Sequence, residues 1–277
     1  MIDVRNFSCF DEPENPLITN ASFTIHPRDR VCILSSHQER ATILCHALAG
    51  TLKRTYPAHT SDGVITFREK SVFAIESHDR TEKIAYVPPN ADLLISGVKE
   101  TVFGEIALSL ELAGMQPEQI REKVMAMLKK LDIEKLAGRD PDELSGGERH
   151  KIALASMIVR EPAVLILDNP TMFLDVSGVK NLLTILRHYA GSIIIADPNP
   201  YAWASFASRF IVIQKNNVLF FDSPQDFIQA IDSEKIKCEL PAWIELYRHV
   251  RQTLQSSDVP ATLTSRFYIR RIAGAIR

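Results

Sequence analysis

The chain has little of what usually assigns a protein quickly. Its 277 residues hold only four cysteines, Cys9, Cys32, Cys45 and Cys238, none of them in a C-x-x-C pair. That argues against a zinc site or a disulfide framework and fits a reducing compartment. Charge of one sign is missing too: 32 basic side chains against 34 acidic ones leave −2. No electrostatic case for a nucleic-acid partner follows. No apolar run approaches the roughly 18 residues of a spanning helix, and the first residues carry no basic-then-apolar leader. The expectation is a protein that stays out of the bilayer but is free to dock on one that other subunits cross. Internal repeats and low-complexity tracts are absent.

Glycine is also scarce, at eleven residues, and where it falls carries information. Two of the eleven sit side by side in Leu144-Ser145-Gly146-Gly147-Glu148, at the mouth of an apolar helical run through Ile152, Leu154, Ala155 and Ile158. A small hydroxyl residue and two glycines ahead of a helix offer approachable backbone N–H groups, a free hydroxyl and a positive helix end, which together make an anion receptor. The segment Ser35-Ser36-His37-Gln38-Glu39-Arg40-Ala41-Thr42 has no glycine at all. It follows an apolar strand at 30–34 and precedes a helix read at 43–50 and closed by Gly50, the strand–loop–helix order of a phosphate-binding loop. Such a loop reads G-x-x-x-x-G-K-[ST]. Here Ser35 and Arg40 replace the glycines and Ala41 the lysine, so only Thr42 matches.

What the chain has in quantity is an ordinary globular composition, 45% apolar and 24% charged, enough to bury about 75% of its unfolded surface. Strands are read at 2–7, 21–25, 63–67, 72–75 and 84–87, where Pro88-Pro89 ends the series. Residues 92–160 read as helical, including a segment opened by Pro117 with Ile120, Val124, Met127, Leu128 and Leu131 on one face. Ala163-Val164-Leu165-Ile166-Leu167-Asp168 is a continuous apolar strand ending in a carboxylate, the pattern of a central parallel strand. A crossover helix at 176–189, a buried strand at 192–196, a hairpin of 210–214 and 218–221 turning on Asn216-Asn217, and a helix capped by Ser223-Pro224 follow. Helices at 242–254 and 262–276 form the tail.

With Leu144-Ser145-Gly146-Gly147-Glu148 intact, the strand ending in Asp168 and Leu174-Asp175 beyond it, the chain resembles the nucleotide-binding subunits of ABC transporters over residues 1–225. The resemblance implies an α/β P-loop NTPase fold of ABC type: a mixed sheet core, a helical subdomain at about 92–160, and a C-terminal helical extension at 226–277. The tail, with Leu240-Pro241 and Leu263-Thr264 leading its helices, is similar to that of energy-coupling factor (ECF) transporter ATPases. In that family Asn169 stands at the catalytic glutamate position, Asp197 at the switch histidine and Pro88 at the Q-loop glutamine. Loss of a general base typically costs 10²–10⁴-fold, and loss of a charged phosphate contact about 1.5–3 kcal/mol. The chain's own half-site, made of Phe10 (read either as an adenine-stacking aromatic or as a core residue beside Phe7), Ser35, Ser36, Arg40, Ala41, Thr42 and Pro88, is thus expected to bind nucleotide weakly and not to hydrolyse it. Asp168 and Thr42 are its candidate Mg²⁺ ligands, Asp168 reading otherwise as a satisfied strand-end carboxylate and Thr42 as a helix cap. Arg40 and His37 offer a residual anion site, opposed by Glu39 between them.

What the resemblance leaves whole is the set that acts across a head-to-tail dimer: Ser145, Gly146, Gly147 and Glu148 of the signature and Asp175 of the D-loop. ATP and Mg²⁺ are then expected mainly in a composite site with a second ABC ATPase subunit of intact phosphate loop. Further expected partners are a transmembrane coupling subunit, docked near residues 90–103, and a substrate-binding membrane subunit. The location this implies is the cytoplasmic face of the cell membrane. The competing reading is a soluble scaffold or regulator that keeps the fold without a transport role.

Overall fold

A computed structural model describes residues 1–12, 15–75, 83–197, 203, 206–233, 235 and 236. The tail helices read at 242–254 and 262–276, with Leu240, Pro241 and Trp243, lie outside these. The strands are β1 (Ile2–Glu12), β2 (Asn15–Ile25), β3 (Arg30–Ser35), β4 (Thr60–Phe67), β5 (Lys70–Ser71), β6 (Ile84–Val87), β7 (Val164–Asp168), β8 (Ser192–Ala196), β9 (Arg209–Gln214) and β10 (Asn217–Phe221). The α-helices are α1 (Gln38–Leu48), α2 (Leu52–Thr55), α3 (Val102–Leu112), α4 (Pro117–Lys130), α5 (Gly146–Ile158), α6 (Val176–Arg187) and α7 (Pro224–Asp232). Among the described residues the ten strands make one mixed sheet in the order β5-β4-β1-β2-β10-β9-β3-β8-β7-β6. Strands β9, β3, β8, β7 and β6 run parallel, while β1, β2, β4 and β5 pair antiparallel. This is the α/β fold expected from the sequence.

Why β7 and β8 are apolar throughout is plain from the two cores they separate. Val164, Ile166 and Ile194 face a core shared with α1 and the antiparallel strands, including Ile43, Leu44, Leu48, Ile18 and Ile65. Leu165, Leu167, Ile193 and Ile195 face the other way, onto Val124, Leu128, Ile152, Leu154 and Leu186 of the surrounding helices. A strand buried on both faces has no place for an alternating polar residue. The stripe foreseen on α4 is buried as well, with Ile120, Val124, Met127, Leu128 and Leu131 all below 8% exposure. Past Ser223, whose hydroxyl accepts from the Asp226 N–H at 3.1 Å, Phe227 of α7 stacks on Phe210 of β9 with centroids 4.3 Å apart.

Several local readings need correction: the strands read at 2–7 and 21–25 extend over Ile2–Glu12 and Asn15–Ile25. The helix after the glycine-free loop begins at Gln38 rather than 43, because Gln, Glu, Arg and Ala are good helix formers and no glycine holds them out of the helix. Residues 72–74 form a 3₁₀ turn after the two-residue β5, not a strand. The hairpin turns on Lys215-Asn216, with Lys215 at φ +57°; Asn217 is already paired in β10 with Gln214. Gly50 does end the first helix: its φ is +71°, and a Cβ there would lie 2.2 Å from the Val72 carbonyl oxygen.

Candidate functional site

Two helix N-termini carry the chemistry that the sequence suggested. The first is that of α1, which faces the carboxyl ends of β3 and β7. Ser35 ends β3, and its hydroxyl turns into its own loop, donating to the His37 carbonyl at 2.8 Å and accepting from the His37 N–H at 3.1 Å. Ala41 is 1% exposed and part of the core around Ile43 and Leu44, so the position of the missing lysine is packed rather than open. Asp168 at the end of β7 is fully buried. Gln38 Nε2 donates to its Oδ1 at 2.9 Å and the Tyr86 hydroxyl to its Oδ2 at 3.1 Å, and the Thr42 side chain bonds it as well. Burial raises the Asp168 carboxyl above its ordinary value, with those three hydrogen bonds opposing the shift and the nearby Asp197 adding to it. The Tyr86 phenol is pushed well up by burial and by the Asp168 charge.

Asp168 and Thr42, the two candidate Mg²⁺ ligands, are brought together here by a hydrogen bond. Both Asp168 oxygens already accept from protein groups, and Thr42 is turned onto the same carboxylate. Among the described residues no group of three or more His, Cys, Asp or Glu side chains could hold an ion. Two of the altered positions, Asn169 through its backbone and Asp197 through its side chain, make hydrogen bonds. Asn169 has φ +49° and its N–H donates to the Ala196 carbonyl at 2.6 Å, a left-handed conformation that asparagine tolerates better than most residues. Asp197 is 2% exposed and accepts from the Thr171 hydroxyl at 2.7 Å. Pro88 follows β6 directly, and Phe10 pairs with Pro16 and Thr60 in the antiparallel lobe. Gln38 and Tyr86 were not foreseen; nothing in the sequence signals that residues 130 and 82 positions away meet Asp168.

The second terminus is that of α5, and it stands open. Ser145 is the N-cap, exposed, at φ −64° and ψ 155°. It forms a capping box with Glu148: the Glu148 N–H donates to Ser145 Oγ at 3.4 Å, while the Ser145 N–H and hydroxyl donate to Glu148 Oε2 at 3.0 and 2.7 Å. Those bonds hold the Glu148 carboxyl below the usual carboxylate range. A carboxylate thus already sits on the donors at this helix start. Nothing approaches Gly146 within 4 Å of where a Cβ would be, whereas at Gly147 the Cβ would lie 3.3 Å from the Phe173 carbonyl oxygen. Asp175 caps α6, accepting from the Gly178 N–H at 2.7 Å. His150, one turn into α5 and 1% exposed, lies 3.1 Å through Nε2 from the Pro170 carbonyl oxygen and packs on Phe173. Signature and D-loop are thereby tied to each other, flanked by Met172, Phe173 and Val176 at 58, 45 and 74% exposure.

The sequence matches the family described as ABC transporter over residues 18–172. A putative ABC transporter ATP-binding protein of Caldanaerobacter subterraneus subsp. tengcongensis is 29% identical over 235 residues, 82% of this chain and 94% of that protein. The energy-coupling factor transporter ATP-binding protein EcfA1 of Lactiplantibacillus plantarum is 30% identical over 211 residues, 75% of this chain and 72% of that one. Among solved structures, cbiO1 from Clostridium perfringens, described as part of the ABC transporter complex cbiONQ, matches with a TM-score of 0.68 at 22% identity, covering 89% of this chain and 98% of that one. At that identity the likeness speaks for the fold alone.

Proposed function

The chain belongs to the ABC transporter family, and on that premise we propose that it is a nucleotide-binding-domain subunit of an ECF-type importer, silent in its own half-site and active through its partner's. Ser145, Gly146, Gly147 and Glu148, with Asp175, complete a composite site in which a second ATPase subunit brings ATP and Mg²⁺ on its own phosphate loop. The observation that carries this reading is the contrast between the two helix starts. At α1, Gln38, Tyr86 and Thr42 engage Asp168, and Ala41 is packed in the core at the position of the lysine. At α5 the Ser145 N–H and hydroxyl hold a carboxylate at the surface. An incoming terminal phosphate takes those donors from Glu148, exchanging one anion for another at a positive helix end.

The same reading places the subunit peripherally at the cytoplasmic face of a membrane, against a transmembrane coupling subunit and, through it, a substrate-binding membrane subunit. No helix among the described residues is long and apolar enough to cross a bilayer. Leu93 and Val98, at 76 and 73% exposure within the proposed docking segment 90–103, supply apolar surface for that contact.

The test is co-expression with an ATPase subunit of intact phosphate loop and with the membrane subunits. The expected result is a co-purifying complex that hydrolyses ATP, no turnover from this chain alone, and loss of turnover with Gly147→Asp in this chain. Hydrolysis by the isolated chain at ordinary ABC rates, or a complex indifferent to Gly147→Asp, overturns the proposal.

A further inference from the structure

One buried acidic residue belongs to neither helix start. Glu105, in the first turn of α3, is 3% exposed, and its neighbours on that helix, Val102, Ile106 and Ala107, are part of the apolar core. Burying a carboxylate is costly unless its oxygens are hydrogen-bonded. Both Glu105 oxygens are, and by a single residue: the Ser96 N–H donates to Oε1, and the Ser96 hydroxyl donates to Oε2 at 2.9 Å. Neither donor carries a charge. A leucine at 105 would suit the surrounding core better, so the carboxylate must be explained by what it holds.

What it holds is an exposed turn. Ser96, Gly97 and Val98, between β6 and α3, all lie at the surface. Ser96 Oγ accepts in addition from the Val98 N–H at 3.2 Å, and Gly97 takes φ +67° with nothing within 4 Å of where a Cβ would be. Beyond the turn, Lys99 Nζ lies 2.7 Å from Glu111 Oε2 in the last turn of α3. That pair is partly exposed, and such pairs contribute little. The two buried bonds to Glu105 therefore decide where the turn sits.

We propose that Glu105 is a positioning residue for the membrane contact. By holding Ser96 from inside, it keeps the turn 96–98 in one shape, so that Val98, at 73% exposure, meets the transmembrane coupling subunit already ordered. Freezing the backbone of three free residues on contact would instead weaken binding by about tenfold or more. This role rests on the reading of residues 90–103 as the docking segment. Glu105 itself is too buried to touch the partner and acts only through Ser96.

The test uses the full chain, alone and in the co-expressed complex. In the isolated chain, Glu105→Leu should speed amide hydrogen exchange at Ser96 about tenfold, while exchange in β7 stays as in the native chain and the urea midpoint holds or rises. In the complex, Glu105→Leu should weaken retention of the transmembrane coupling subunit about tenfold, with the KM for ATP unchanged. Glu105→Gln, whose amide can accept from the Ser96 N–H and donate to its hydroxyl, should recover most of that loss. Ser96→Ala, at an exposed position, removes the hydroxyl donor alone; it should give an intermediate loss, and it carries the test should Glu105→Leu unfold. Unchanged exchange at Ser96, retention by Glu105→Leu equal to that of the native chain, or a loss that Glu105→Gln does not relieve overturns the proposal. A native chain that retains no membrane subunit overturns the transporter reading and this role with it. A native chain that retains it, with Glu105→Leu doing so equally, overturns the role of Glu105 alone.

Discussion

The starts of α1 and α5 are the same physical object put to opposite uses. Each is a helix N-terminus with orphan N–H groups and a positive dipole end. At α5, two glycines keep Cβ atoms out of the approach, and the cap is a box made by Ser145 and Glu148 on the surface. At α1, the residues that replaced glycine extend the helix back to Gln38, whose amide then reaches the carboxylate at the end of β7. At α1 the polar groups satisfy one another around Asp168, whereas at α5 they stay at the surface. A buried Asp168 without Gln38, Tyr86 and Thr42 would be an uncompensated charge.

The comparison is broken most directly at α5. Gly147→Asp places a like charge where the partner's phosphate should sit, and turnover of the co-expressed complex is expected to fall 10²–10³-fold, the scale of losing a phosphate or oxyanion donor set. Steady-state ATPase measurement checks it; a drop under threefold would make the two helix starts equivalent. Next in size is Gln38→Ala, which removes a donor from a buried carboxylate and should cost about 1.5–3 kcal/mol in urea unfolding of the isolated chain. An unchanged midpoint would mean that Gln38 does not hold Asp168 as described. Ser145→Ala removes the cap of α5 and is expected to cost only about 1 kcal/mol of stability while sharply lowering turnover of the complex, so stability and activity should separate at α5 and not at α1.

A pH dependence is also expected, centred behind α1. His46, on α1 against Tyr86 with ring centroids 4.4 Å apart, is pushed by burial down to about 4. The folded chain therefore resists a proton that the unfolded chain takes up near 6.5. Its contribution is complete above that value and declines as the pH falls toward 4. Thermal midpoints recorded between pH 7 and 4 should fall, and His46→Gln should flatten the slope. Glu148 acts in the same direction at lower pH: its carboxyl lies below the usual range, so the capping box persists until the pH drops through the ordinary carboxylate value and below.

Much of the site's chemistry was readable without coordinates because it is local. The capping box, the glycines, the apolar strand closed by Asp168 and the stripe on α4 are patterns within a few residues, set by helix and strand periodicity. What escaped the reading is what parallel pairing decides. Tyr86 meets Asp168 because β6 is hydrogen-bonded beside β7, with Tyr86 opposite Ile166, and neighbours in a parallel sheet are joined through long crossovers that leave no trace in local sequence. Lys215 reaches Arg40 for a similar reason, since β10 pairs β2 at Asn217 and Thr19 and brings the turn across the loop.

The sequence by itself thus determined which helix start carries the glycines and the capping box, because those depend on residue type at fixed short spacing. Only the tertiary structure decided what became of the other one. Whether a loop that has lost its glycines collapses, stays open or finds new partners depends on which side chains the sheet order delivers to it. Here β6 and β7 delivered Tyr86 and Asp168 to one side of α1, and the β9–β10 turn delivered Lys215 to the other.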